Sequence, residues 1–170
     1  NAVMGTMFGS IDQARPMDLA GNPSSAQAYE RLANAFAVIM TVRGAPAILY
    51  GDEIGLAGAS DPENRPMMQF GAISAEQTTL RSRVERLGDV RREHVALRKG
   101  KRQDLQVTDD LWFFKAFYGS DLVFVAINRA DKDTTIEGIP SSSKELLTES
   151  NVDGPTATIP ARQTRIFIPR

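Results

Sequence analysis

Two short apolar strings each run into residues that can do chemistry. Asn1–Phe8 (NAVMGTMF) leads to Ser10-Ile11-Asp12 with Arg15 three positions on, and Gly44-Ala45-Pro46-Ala47-Ile48-Leu49-Tyr50 leads to Asp52 and Glu53. Carboxylates at strand ends can act as nucleophile, general acid or base, or as a grip on hydroxyl groups. In a parallel α/β barrel such ends form the floor of the active site, because all the βα loops converge on one rim. An Asp behind a strand also serves as a turn or capping residue, and Arg15 reads equally as the partner of a structural carboxylate. Adjacent residues leaving a strand point in different directions, which favours a scaffold role for Asp52 and Glu53. Asp61, Glu63 and Asn64 offer oxygen ligands for a hard cation such as calcium, and a solvated turn around Pro62 accounts for them as well. His94 is the single histidine. It follows Leu87 by seven residues, on or beside an apolar helix face, so it reads as a structural residue. Trp112, Phe113, Phe114 and Phe117 could include a sugar-stacking platform, although alternation along a half-buried strand explains most of them as core.

The elements that must carry these residues are legible. Ser24 and Gln27 have capping-box spacing, and Tyr29, Leu32, Ala33, Phe36, Ile39 and Met40 repeat at the helical period, with Gly44 where a left-handed terminator is expected. Residues 51–73, rich in Gly, Asp and Pro, predict a long loop of the kind that carries function. Ser74 and Gln77 open a second helix whose Leu80, Val84, Leu87, Val90 and Leu97 share one side, and Gly100 ends it. Beyond that point the texture changes. Leu111–Tyr118 and Leu122–Ile127, joined across Gly119-Ser120, predict a hairpin. Shorter strands are expected at Thr134–Ile136, Lys144–Leu147, Thr156–Ile159 and Thr164–Ile168, a pattern that predicts an antiparallel sandwich. The boundary falls near residue 100.

Composition narrows the function classes. With Lys+Arg 20 against Asp+Glu 21, the net charge of −1 gives no field favouring nucleic acid or an anionic membrane. Cysteine is absent, which excludes disulfides and thiolate metal sites. One histidine excludes a multi-His metal site and a self-contained Ser-His-Asp triad. No apolar run approaches the roughly 20 residues of a membrane span, and no signal-peptide pattern opens the chain. Two βα units are about a quarter of an eight-unit barrel of roughly 250 residues, so the chain is expected to be the end of a larger enzyme.

Five strings in order resemble the α-amylase family of glycoside hydrolases. Gly44-Ala45-Pro46-x-x-x-Tyr50-Gly51-Asp52-Glu53-Ile54-Gly55 is similar to the family's eighth-strand signature, and Asp61-Pro62-Glu63-Asn64-Arg65-Pro66-Met67-Met68 to the loop after it, though a second consecutive arginine is often found there. Arg92-Glu93-His94-x-Ala96-Leu97-Arg98-x-Gly100 resembles the end of the last barrel helix. Val125-Ala126-Ile127-Asn128-Arg129 and Glu145-Leu146-Leu147-Thr148 resemble its sandwich domain. The resemblance implies α/β then all-β architecture: the C-terminal segment of a TIM (β/α)8 barrel over residues 1–99, then an antiparallel β-sandwich over residues 100–170.

The same resemblance implies a retaining enzyme acting on α-linked glucans, with Asp12 as the catalytic, transition-state-stabilising carboxylate and Arg15 and Arg65 as substrate-binding residues. The nucleophile and acid/base lie on earlier barrel strands in the family, so this chain alone is expected to be inactive, with the N-terminal part of the barrel as a separate or missing polypeptide. Calcium is the one cofactor the family suggests, and the expected location is extracellular or periplasmic. The family's seventh-strand motif is Asn-His-Asp; here it is Ser10-Ile11-Asp12, and isoleucine has no hydrogen-bonding group. That departure supports an alternative, a catalytically degenerate homologue serving in glycan binding or protein association.

Overall fold

The computed structural model describes residues 3–170. Its first half holds β1 (Gly5–Thr6), α1 (Pro16–Ala20), α2 (Ala26–Thr41), β2 (Ala45–Pro46), a 3₁₀ turn at Asp52–Ile54, α3 (Ala75–Glu93) and α4 (Val95–Lys99). β1 and β2 pair in parallel, Gly5 opposite Ala45 and Thr6 opposite Pro46. This βαβ unit is the geometry the two apolar strings predict, but its strands are short; the expected strand start at Asn1 and Ala2 lies outside the described residues. Pairing is close because Gly44, at φ 143°, has no side chain: a Cβ there would sit 2.8 Å from Thr6 Cγ2 and 2.9 Å from the Met4 carbonyl.

α2 starts one residue later than its expected cap. Ser25 accepts the Ala28 amide at 3.2 Å, while the Ser24 amide is taken by Asn22 Oδ1 at 3.0 Å, a local turn that moves the cap along the chain. The far end of α2 is closed by Arg91, whose guanidinium donates to the carbonyls of Met40, Val42, Leu97 and Gly44. On α3 both halves of the Ser74–Gln77 capping box form, at 3.2 and 2.9 Å. The expected single helix to Gly100 breaks at His94. Asp121 accepts from the Ala96 amide at 2.8 Å and contacts His94 Nδ1 at 2.9 Å, supplying a cap from another element.

The second half is antiparallel. β3 (Lys101–Val107), β4 (Leu111–Tyr118), β5 (Asp121–Asn128), β10 (Thr164–Pro169), β7 (Ser142–Glu145) and β8 (Asn151–Asp153) form one sheet in that order. β6 (Thr134–Glu137) pairs with β9 (Thr156–Ile159) as a second layer. Alternation divides the side chains between two cores. Phe114, Val123, Val125, Ile127 and Ile166 face α2, α3 and α4, packing with Leu32, Phe36, Leu80 and Leu87. Phe113, Phe124, Ala126 and Phe167 face β6 and β9, against Ile136 and Ile159. The main sheet is thus a middle layer, buried on both faces along β5. Its helix-facing core is continuous with that of the α/β half.

Candidate active site

Asp12 sits on the loop that leaves β1, and this loop is built from below. Gly9 lets it pass close to Asp52, since a Cβ there would lie within contact of the Asp52 carboxylate. Asn64, buried, donates its side-chain amide to the carbonyls of Ile11 and Gln13, both at 3.0 Å, and so grips the loop on either side of Asp12. Arg15 in turn holds Asn64. Its Nε donates to the Asn64 carbonyl at 2.7 Å, and its Nη1 donates to the Tyr50 carbonyl at 2.8 Å and to Asp52 Oδ1 at 3.0 Å. The guanidinium also lies 4.6 Å from the centre of the Tyr50 ring.

Burial pushes the Asp52 carboxyl above the ordinary carboxylate range; the hydrogen bond and charge of Arg15 oppose that shift, and Glu53 adds to it. The pair is a structural one. Arg15 has no exposed surface at all (0%), which corrects the expectation that it contacts sugar. A guanidinium sealed beneath the loop can position Asp12 but cannot reach a substrate in this structure.

Arg65 is placed differently. Its Nε donates to the Ile11 carbonyl at 3.2 Å, and its Nη2 approaches Asp12 Oδ1 at 3.7 Å, with both side chains open to solvent (47% and 78%). Asp12 and Arg65, far apart in sequence, therefore share one exposed rim. Ile11 lies between them, 45% exposed.

The residues considered for a cation do not converge. The Asn64 amide is turned inward to the loop, Glu63 accepts from Ser60 Oγ at 3.2 Å, and Asp61 approaches Arg65 at 3.7 Å. Among the described residues no group of three acidic or histidine side chains is arranged to hold a metal ion. Trp112 is engaged within the sheet: Arg102 lies 4.9 Å from its ring centre, Phe114 packs at 4.6 Å, and its indole N–H donates to Asp104 at 2.9 Å. His94 is occupied by Asp121, as a structural residue would be. The residue that sequence reasoning undervalued is Asn64, read there as a cation ligand. An asparagine between Pro62 and Arg65 in a loop facing a strand end carried no periodic signal, and only the fold shows what it holds.

A cyclomaltodextrin glucanotransferase from Klebsiella oxytoca is 36% identical to the chain over 124 residues, 67% of this chain and 18% of the relative. The chain belongs to the α-amylase family of glycoside hydrolases. A second glucanotransferase, from Bacillus sp. (strain 1-1), is 30% identical over 134 residues, 75% of this chain. The chain spans 18% of the length of each of these relatives and corresponds to the C-terminal portion of the α-amylase architecture. Solved structures agree on the fold. The α-amylase of Geobacillus thermoleovorans in complex with acarbose superposes with a TM-score of 0.84 at 24% identity, over 97% of this chain and 38% of that one. An Anoxybacillus α-amylase gives 0.84 at 25% identity, over 99% and 38%. No family profile matches the chain. The barrel end followed by an antiparallel sandwich is therefore the architecture of an α-amylase family member, and no helix among the described residues is long and apolar enough to cross a membrane.

Proposed function

We propose that this chain forms the end of the catalytic barrel of an α-glucan-active glycoside hydrolase, and that Asp12 is its transition-state-stabilising carboxylate. The observation that carries the reading is the clamp on the Asp12 loop: Asn64 holds the carbonyls of Ile11 and Gln13, and Arg15 holds Asn64. A turn residue needs no such support, whereas a carboxylate that must meet a distorted sugar ring does, because misplacement by a fraction of an ångström is costly to catalysis.

In retaining cleavage, a nucleophile and an acid/base about 5–5.5 Å apart break and remake the bond at the anomeric carbon. Both belong to other strands of the barrel. Asp12 contributes by accepting hydrogen bonds from sugar hydroxyls as the ring flattens and gains positive charge, contacts that strengthen in the transition state. Arg65, exposed beside it, is assigned to the substrate as a donor to hydroxyl oxygens. Arg15 acts through Asn64 as a positioning residue. The names of the relatives, glucanotransferase and α-amylase, support α-linked glucans as the substrate class, and the family resemblance suggests an extracellular or periplasmic setting. The remaining barrel units would cover Met4 and Met7, exposed beside β1 (75% and 61%).

One observation favours a second reading, a degenerate homologue that binds glycan or protein without turnover. Ile11 presents an exposed apolar side chain where the family pattern has histidine. Assay of the complete protein on maltooligosaccharides separates the two. Turnover that rises in Ile11→His supports the enzyme, since the substitution restores a donor beside the sugar. Absence of hydrolysis in both proteins supports the degenerate homologue.

A further inference from the structure

A cleft of about 310 Å³ opens between α2, α3 and the start of β10, away from the Asp12 loop. Alanines make it: Ala33 and Ala37 on α2 and Ala75 on α3 leave room where larger side chains would close the helix pair, and Leu80 and Leu87 line its apolar wall. Most polar groups around it are already engaged. Thr164 Oγ1 donates to Asn34 Oδ1 at 2.8 Å, Asn34 Nδ2 donates to the Asn128 carbonyl at 2.9 Å, and Arg162 is taken by Glu30 and Asp131. Glu76 accepts from Ser74 Oγ at 2.8 Å.

Among the charged residues of the lining, Arg83 stands apart. It lines the cleft half-buried, and among the described residues it makes no hydrogen bond or ion pair. The carboxylate in its neighbourhood, Glu145, accepts from the amides of Leu147, Thr148 and Ile166 at 3.1, 2.7 and 3.0 Å. Burial lowers the pKa of Arg83 and the charge of Arg165 lowers it further, with Glu145 opposing. A guanidinium left without a partner in an apolar cleft carries a desolvation cost that an incoming anion would relieve.

We propose that this cleft is a binding site for a small amphipathic monoanion, its carboxylate paired with Arg83 and its apolar body between the alanines of α2 and the leucines of α3. The volume is at the low end for small-molecule sites, room for a single ring with a short chain. An occupant would touch both helices and β10, bridging the α/β half and the sheet.

The test is NMR titration of the full chain with 4-phenylbutyrate and with its neutral counterpart 4-phenylbutanol. The carboxylate should bind about tenfold more tightly or better, the usual weight of a charge-assisted hydrogen bond, with shifts centred on α2, α3 and β10. Arg83→Gln, whose side chain has no partner to lose, should fold normally and abolish the preference. Ala33→Phe, at the partly exposed alanine of α2, should fill the cleft and exclude both probes. Equal binding of the two probes, a preference that survives in Arg83→Gln, or no binding by the wild type would overturn the proposal.

Discussion

Replacing Asp52 by Asn tests the clamp at its base. The change keeps the shape of the side chain and removes its charge, leaving the fully buried Arg15 guanidinium without a counter-ion. Breaking one partner of a buried pair costs about 3–5 kcal/mol, since the orphaned charge cannot be solvated. In a chain of 170 residues each kcal/mol lowers Tm by roughly 2–4 °C, so the melting point should fall by about 6–20 °C. Trp112 is the single tryptophan and lies on the sheet, so its fluorescence reports global unfolding at sub-micromolar concentration. A double variant, Arg15→Met with Asp52→Leu, should recover part of the loss: it removes both charges but leaves the Asn64 and Tyr50 carbonyls without their donor. A Tm within about 2 °C of wild type, or no recovery in the double variant, would refute the buried-pair account.

Asn64→Ala should release the loop at Ile11 and Gln13; in the complete protein kcat should fall by about tenfold or more while the melt of the sheet, followed at Trp112, changes little. Arg91→Met should cost about 3 kcal/mol in denaturant unfolding, since it strips donors from four carbonyls at the end of α2 and around it. Trp112→Ala should cost about 2 kcal/mol, below the roughly 3–5 of a fully buried tryptophan, because Trp112 is only partly buried beside Phe114; a loss of glucan binding with unchanged stability would mark it as a sugar platform instead.

The parts of this fold that could be read from sequence are those where one face decides burial. The period of Leu32, Phe36, Ile39 and Met40 on α2, and of Leu80, Val84, Leu87 and Val90 on α3, describes helices with one buried side, and both are seated as expected. The β4–β5 hairpin was equally legible, because aromatic and β-branched residues alternate between two cores. β3 was not: Lys101–Val107 is exposed along its whole length, an edge strand whose polar residues carry no period. β8, three residues long, was missed for a similar reason. At the site, Asp12 and Arg65 could be proposed from the family resemblance, and they share one rim. The roles of Arg15, Arg91 and Asn64 depend on carbonyls supplied by distant segments, which no local spacing encodes.

The central claim is that Asp12 acts on the transition state. It is tested by steady-state kinetics of the complete protein on a maltooligosaccharide, wild type against Asp12→Asn. Contacts that form as the ring flattens should lower kcat by on the order of 10²-fold or more, while KM moves far less. Robust wild-type turnover with kcat unchanged in Asp12→Asn would contradict the assignment.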